Sequence, residues 1–302
     1  MKWTKLGILF RTENNHPWML THAANPAAEH LHDNIFRLYF SCRDSDSRSY
    51  IAYADVDLGP PFVVLKVADH PLLAPGEIGT FDDSGVSFSC LTQIGGRKYL
   101  YYLGWNLGVT VPWRNSIGLA VYDPKTQTFE RHGKAPLLDR SEADPYSISY
   151  PFILEDNGIY RMWYGSNLSW GREHNAMAHV IKYAESVDAL HWTRKGIIAL
   201  TFKDASEYAL SRPCVIKEHG QFKMWYSYRG ETYRIGYAES ADGISWTRKD
   251  EEVGIDVSVS GWDSEMIEYP FVFEHKGERY MLYNGNNYGK TGIGLAVLDA
   301  NS

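Results

Sequence analysis

Five copies of one short apolar-aromatic pattern recur along this chain. They are Phe36-Arg37-Leu38-Tyr39-Phe40, Tyr99-Leu100-Tyr101-Tyr102, Tyr160-Arg161-Met162-Trp163-Tyr164, Phe222-Lys223-Met224-Trp225-Tyr226 and Tyr280-Met281-Leu282-Tyr283. Their last residues stand 62, 62, 62 and 57 residues apart. A period of that size signals a repeat architecture, in which no unit buries its apolar face alone and each stacks on its neighbours.

Two further motifs keep step with the first. After each aromatic run comes Ile51-Ala52-Tyr53-Ala54, Ile117-Gly118-Leu119-Ala120, Ile181-Lys182-Tyr183-Ala184, Ile235-Gly236-Tyr237-Ala238 or Ile293-Gly294-Leu295-Ala296. Its small residues let neighbouring groups approach closely. Before each run stands a proline, in Asn25-Pro26, Tyr150-Pro151, Arg212-Pro213 and Tyr269-Pro270, with Ser89 taking that place in the second unit. Units three and four add Ser186-Val187-Asp188 leading to Trp192, and Ser240-Ala241-Asp242-Gly243 leading to Trp246. Asp-Gly reads as a hairpin turn, and the Trp as the opening of a further strand.

Each unit thus offers about four short strands, and no long amphipathic helical window competes. Radially repeated four-stranded sheets make a β-propeller, commonly of about 4–8 blades. The expectation is an all-β, five-bladed β-propeller of four-stranded antiparallel blades, occupying residues 1–302 as a single domain. The fifth unit has no Trp-bearing fourth strand. Trp3-Thr4-Lys5-Leu6-Gly7-Ile8 matches Trp192-Thr193-Arg194-Lys195-Gly196-Ile197, so the N-terminal strand is expected to complete the last blade and close the ring. Closure removes exposed sheet edges, which invite association.

Charge and composition narrow the function. A net charge of −7 gives no basic excess to release a nucleic acid's counterions, so nucleic acid is not expected as partner. Cys42, Cys90 and Cys214 are widely spaced, which excludes a disulfide framework or zinc ribbon and predicts buried apolar cysteines. The apolar run Leu6 to Phe10 is shorter than a signal peptide's core or a membrane span, so a cytoplasmic protein without membrane association is expected. Aromatic residues reach 14%, suiting both pleated sheets and sugar-stacking sites.

In a propeller the innermost strands line a central channel. By repeat alignment these are the pre-proline segments 22–26, 82–87, 144–151, 207–213 and 263–270, and all five carry polar groups. Carboxylates converging on a channel suit general acid and base work, and glycoside hydrolysis needs such a pair. The catalytic candidates are Glu268, Asp83 and Glu207, with Asp44, Asp144 and Glu265 behind them. Arg43, Arg212 and Arg229 either neutralise these acids or bind an anionic group such as phosphate. His22, Asn25, Asn106, Arg114, Tyr146, Ser149, Asn167 and Asn284 complete the substrate-binding candidates. Trp105, Trp113 and Trp170 lie in expected long loops, the insertions 104–115 and 165–179, either as a sugar platform or as packing. His174 and His179 lack a metalloprotease pattern, so no metal ligand is assigned and no cofactor is expected. A structural cation on the channel axis is compatible with the fold, but no ligand spacing argues for one.

The arrangement resembles the five-bladed propeller glycosidases: arabinanases, β-xylosidases, invertases (families 43 and 32) and the related mannoside phosphorylases. The resemblance covers nearly the whole chain. It rests on the pre-proline inner strands, on Tyr-Ala-Glu-Ser-x-Asp-x-x-x-Trp at 183–192 and 237–246, and on the end-to-end match. It implies an enzyme acting on a small glycan or sugar conjugate, and a Glu two residues before a proline as general acid. Ile267-Glu268-Tyr269-Pro270 looks like that motif. In the family an Asp of the first blade is base or nucleophile, but here Ala24-Asn25-Pro26 carries an amide, which can be neither. Asp83 or Asp44 would then take that part. Phosphorolysis remains an alternative, marked by an Arg/His cluster beside a single carboxylic acid. Binding of a glycan or nucleotide sugar without cleavage is the other.

Overall fold

The computed structural model describes residues 1–173 and 176–299. Its first strand, β1 (Trp3–Phe10), stands apart from its neighbour in sequence. The strands that follow pair antiparallel in sequence order, in sets of four. The first set is β2 (Thr21–His32), β3 (Ile35–Arg43), β4 (Ser49–Asp57) and β5 (Val63–Val67). The second is β6 (Gly85–Ile94), β7 (Arg97–Leu107), β8 (Trp113–Asp123) and β9 (Thr128–Arg131). The third is β10 (Ile148–Asp156), β11 (Ile159–Trp170), β12 (Met177–Ser186) and β13 (Ile198–Leu200). The fourth is β14 (Ala209–Glu218), β15 (Gln221–Arg229), β16 (Tyr233–Ser240) and β17 (Thr247–Arg248). In the last, β18 (Glu268–His275), β19 (Glu278–Asn284) and β20 (Ile293–Leu298) are joined by β1, with Trp3 opposite Leu298 and Phe10 opposite Ile293. The fold is all-β.

The core lies between sheets. Each middle strand is buried on both faces, which is why the aromatic runs read as continuous rather than alternating. Tyr39, Ile51 and Tyr53 of the first sheet pack on Val86, Leu100 and Tyr102 of the second. Comparable layers join the second sheet to the third, the third to the fourth and the fourth to the last. One further layer sets Phe10, Leu282 and Leu295 against Phe36, Phe40 and Ala52, so the last sheet also packs on the first. At the registers Tyr102↔Gly118 and Tyr226↔Gly236 a tyrosine ring lies over a glycine. A Cβ on Gly118 would stand 2.2 Å from the Tyr102 ring, and one on Gly236 2.5 Å from that of Tyr226.

The tyrosine hydroxyls then reach the acids that precede the inner strands. Tyr102 and Arg131 bind Asp82; Tyr164 and Arg194 bind Asp144; Tyr283 and Lys5 bind Asp263. In the fourth sheet Tyr226 binds Asp250, and Arg248 bridges Asp250 to Glu207. One buried acid–tyrosine–base cluster thus recurs and ties the entrance of the inner strand to the outer edge of its sheet. All three cysteines are free and buried, as expected.

Two local expectations need correction. The insertions 104–115 and 165–179 are not loops but lengthened hairpins, because β7–β8 and β11–β12 keep pairing out to Leu107↔Trp113 and Trp170↔Met177. Trp192 does not open a regular strand either. Thr193 makes only an isolated bridge to Glu185, and β13 begins at Ile198. Among the described residues no helix is long and apolar enough to cross a membrane.

Candidate active site

Inner-strand bulges build the floor. Asn25, Tyr150, Arg212 and Tyr269, each directly before a proline, have positive φ (56°, 42°, 54° and 56°). At each the pairing with the next strand slips, as it does between Phe88 and Cys90 in the second sheet. A bulge re-aims side chains that a regular strand would alternate. Side chains of the preceding sheet hold three of these positions: Asn284 Oδ1 accepts from the Asn25 amide (2.9 Å), Ser41 Oγ from that of Phe88 (2.9 Å) and Ser227 Oγ from that of Tyr269 (2.7 Å). Two residues before the proline place, the units carry Ala24, Ser87, Ser149, Ser211 and Glu268. The charged member of this ring is Glu268.

A cleft of about 520 Å³ opens above the floor. Ser87, Ser149, Ser211, Tyr150 and Tyr269 line its base, Arg43 and Arg229 its sides, and Trp105, Trp113 and Trp170 part of its wall. Among the described residues no Asp or Glu lines it. Glu268 sits just beneath, with no exposed surface. Burial pushes its carboxyl well above the usual range, though the Arg229 charge, the Tyr269 hydroxyl and the Tyr288 amide pull the other way. Neither carboxyl oxygen makes a well-formed hydrogen bond with the described residues. Burial therefore favours the protonated form of the Glu268 carboxyl.

Arg229 is held beside it by rings. Its guanidinium lies 5.5, 5.3 and 5.7 Å from the centroids of Tyr208, Tyr233 and Tyr288 and donates to the Tyr288 hydroxyl. Tyr288 reaches it from a turn where Asn287 and Tyr288 both have left-handed backbone (φ 59° and 58°). Such strain persists where surroundings over-determine it; here Asn286 Oδ1 caps the amides of Glu265 and Met266. Across the sheets His179 pairs with Ala209, and Ala209 with Arg229. His179 Nδ1 lies 2.7 Å from the Leu210 carbonyl. It must donate there, which leaves Nε2 as an acceptor. Burial chiefly, with the Arg229 charge, lowers this imidazole to about 4, so it is neutral. Arg43 and Arg229 make no ion pair with a carboxylate among the described residues.

Of the residues singled out from the sequence, the cleft collects Arg43, Trp105, Ser149, Asn167 and Arg229, together with Trp113, Trp170 and His179. The other candidates stand elsewhere. Asp83 accepts from the Gly79 amide and the Ser84 hydroxyl, both at 2.9 Å, closing a surface turn. Glu207 is held by Arg248 (2.6 and 2.9 Å) and the Lys203 amide. Asp44 takes the amides of Asp46 and Arg48, the Arg48 side chain and the Tyr50 hydroxyl. Asn284 also donates to the Ala23 and Gly292 carbonyls. Arg212 is fully enclosed beneath the floor and donates to the carbonyls of Ser89, Asn25 and Pro26. It thereby neither faces an acid nor reaches the cleft. His22 bonds Thr21, and burial with the Arg43 and Lys290 charges lowers it to about 4. Asn25 is buried in the floor, while Asn106, Arg114 and Tyr146 lie outside the cleft lining. His174 falls outside the described residues. Sequence reasoning did not assign Tyr233, Tyr269 or Tyr288 to the site, although Tyr269 adjoins the Glu268 motif and could have been found from it. Among the described residues no group of three His, Cys, Asp or Glu is placed to hold a metal.

Comparison with known proteins agrees with this architecture. No family model matches the chain. Two Mycobacterium tuberculosis proteins, Uncharacterized protein MT1551 (strain CDC 1551 / Oshkosh) and Uncharacterized protein Rv1502 (strain ATCC 25618 / H37Rv), are each 46% identical over 299 residues, 99% of this chain and 100% of theirs. Among solved structures, a glycosyl hydrolase from Bacteroides ovatus superposes with a TM-score of 0.70 at 17% identity over 100% of this chain and 94% of that one. A thermostable family-43 glycoside hydrolase gives 0.67 at 18% identity, covering 95% and 91%. A structure from the GH130 family of mannoside phosphorylases, described as containing hydrolases that target β-1,2 mannosidic linkages in Candida mannan, gives 0.65 at 19%, covering 94% and 86%. The chain therefore belongs to one family with the two mycobacterial proteins, and shares its fold with the β-propeller glycosidases and mannoside phosphorylases.

Proposed function

We propose that the five sheets are the blades of one closed propeller domain, and that its cleft cleaves a glycosidic bond with Glu268 as general acid. The observation that carries this reading is a buried carboxyl under a polar cleft, pushed towards its protonated form by burial and without a well-formed hydrogen bond among the described residues. A protonated acid can give its proton to the departing glycosidic oxygen. The bulge at Tyr269 fixes where Glu268 points, and the serines of the floor offer hydroxyls to a sugar. Asp83 and Glu207 have no catalytic part in this reading, because turn and ion-pair partners already occupy their oxygens.

The attacking group then has to come from outside the protein. Hydrolysis by paired carboxylates needs a second acid within about 5–10 Å, and none of the described residues lining the cleft is one. Arg229, poised by three tyrosines, and neutral His179 beside it suit an oxyanion. This favours inorganic phosphate over water as acceptor, making phosphorolysis the better-supported chemistry. A screen of oligosaccharides and aryl glycosides, with and without phosphate, tests it. Sugar phosphate should form only with phosphate present, and Glu268→Gln should lower turnover at least about 100-fold. Phosphate-independent turnover would restore hydrolysis. Binding without turnover, unchanged in Glu268→Gln, would make this a glycan-binding propeller.

A further inference from the structure

The cleft has two kinds of wall. Its floor and the side near Glu268 are polar. The β7–β8 and β11–β12 hairpins contribute the polar Asn115, Asn167 and His179 to the cleft, but towards their ends they present an apolar face of Leu107, Pro112, Trp113, Trp170 and Met177. The Trp113 and Trp170 rings meet edge to face, 5.5 Å between centroids, and join the two hairpins into one surface. That surface continues past the cleft mouth: Leu107 is 71% exposed, and Val109 in the following turn is fully exposed. A folded protein in water does not gain by holding such side chains at a functional opening unless something covers them.

A glycan is a poor occupant. Sugar rings stack on aromatic faces but carry hydroxyls that need partners, and Leu107, Val109, Pro112 and Met177 offer none with their side chains. A hydrocarbon chain fits the same wall without that cost. Charge marks where its head would sit. Arg43 pairs in register with Ser49, whose hydroxyl accepts from Trp105 Nε1 at 2.8 Å. Two residues beyond Trp105 comes Leu107, so a cation without a carboxylate partner among the described residues adjoins the start of the apolar wall. The arrangement matches an amphiphile with an anionic head.

We propose that the substrate's leaving group is an alcohol built on a hydrocarbon chain that also bears an anionic group such as a phosphate, the anion at Arg43 and the chain along Leu107, Trp113, Trp170 and Met177 towards Val109: its glycosidic oxygen parts from the anomeric carbon with the proton of Glu268, and an oxygen of inorganic phosphate bonds that carbon in its place. This rests on reading the cleft as a glycoside-cleaving site, with the sugar on the floor above Glu268.

Calorimetric binding of n-alkyl phosphates from ethyl to decyl, kept below micelle formation, tests it on the whole chain. A fully buried methylene is worth about a fourfold change in affinity; on a one-sided wall roughly twofold per methylene is expected. Decyl phosphate should therefore bind at least about 50-fold more tightly than butyl phosphate. The double variant Leu107→Ser/Val109→Ser should flatten that slope, and Arg43→Gln should weaken every member similarly. A flat slope in the parent protein, a slope unaltered by the double variant, or no binding at any length would each overturn the proposal. None of those results touches the role of Glu268, which is read from turnover.

Discussion

At the residue scale, two ionisable groups are buried without the partners such groups normally have. Burial favours the protonated form of Glu268, so between the ordinary carboxylate range and its raised value the folded protein keeps a proton that the unfolded chain releases. Its contribution to stability is complete below the unfolded value and is lost as pH rises through the folded one. Glu268→Gln, uncharged throughout, should flatten the decline of stability on the alkaline side, seen as a smaller difference in denaturation midpoint between pH 6 and 9. An unchanged pH profile would mean that Glu268 ionises normally and could not serve as acid. Arg212 is the complementary case. Its guanidinium stands at the centre of the floor and holds carbonyls of two other sheets, Ser89 of the second and Asn25 and Pro26 of the first. Charge-assisted bonds of this kind are worth about 1.5–3 kcal/mol each, and the orphaned carbonyls would add desolvation cost. Arg212→Met should therefore destabilise by about 3 kcal/mol or more in chemical denaturation, while Arg212→Lys recovers only part.

At the scale of the element, the second, fourth and last sheets share one stack: tyrosine over glycine, its hydroxyl on an acid, the acid on a base from the sheet's outer edge; in the third, Lys182 faces Tyr164 and itself binds Asp144. Gly118→Ala tests the first contact. A Cβ only 2.2 Å from the Tyr102 ring forces that ring or its strand to move, and with Tyr102 bound to Asp82 neither moves cheaply. Overpacking of this kind costs about 1–3 kcal/mol, and thermal melting of the variant should show it. The same substitution is already present in the first unit, where Ala52 opposes Phe40. Phe40 has no hydroxyl to anchor, so its ring is free to settle differently. The Ser-x-Asp turns belong to the same scale. Asp188 and Asp242 cap the amides two and three residues on, and Trp192 and Trp246 donate back to Ala189 and Gly243. The motif most visible in the sequence is thus a turn, remote from the cleft.

At the scale of the whole molecule, stability depends on the pairing of the two ends. Trp3 and Phe10 are buried, one between the fourth and last sheets, the other between the last and first. A chain lacking residues 1–10 would expose the β20 edge and two apolar layers. It should be recovered as aggregate rather than as a monomer with a lower melting point, checked by size-exclusion chromatography. A stable, soluble truncation would show that the other sheets carry the fold without β1.

Much of this was legible from the repeat. Strand pairing follows from apolar runs spaced by turn signals, and the match of residues 3–8 to 192–197 placed β1 against β20, because local pattern and burial agree there. Glu268 was legible too, as the one charged residue at a repeated position two before the proline. Partnership was not. Asp83 and Glu207 are carboxylic acids like Glu268, and only the tertiary arrangement decides that a turn amide or Arg248 claims them while Glu268 is enclosed beneath the cleft without an ion pair among the described residues. Nor did the sequence tell which arginine reaches the cleft: Arg212 stands before the proline of an inner strand and Arg229 ends the next strand, but a left-handed bulge turns the first into the floor and a cage of tyrosines holds the second at the cleft. A side chain's type is written in the sequence, but its protonation and its freedom to act depend on which groups from distant sheets arrive beside it. Sequence periodicity therefore determined the architecture, and the long-range packing of inner strands determined the site.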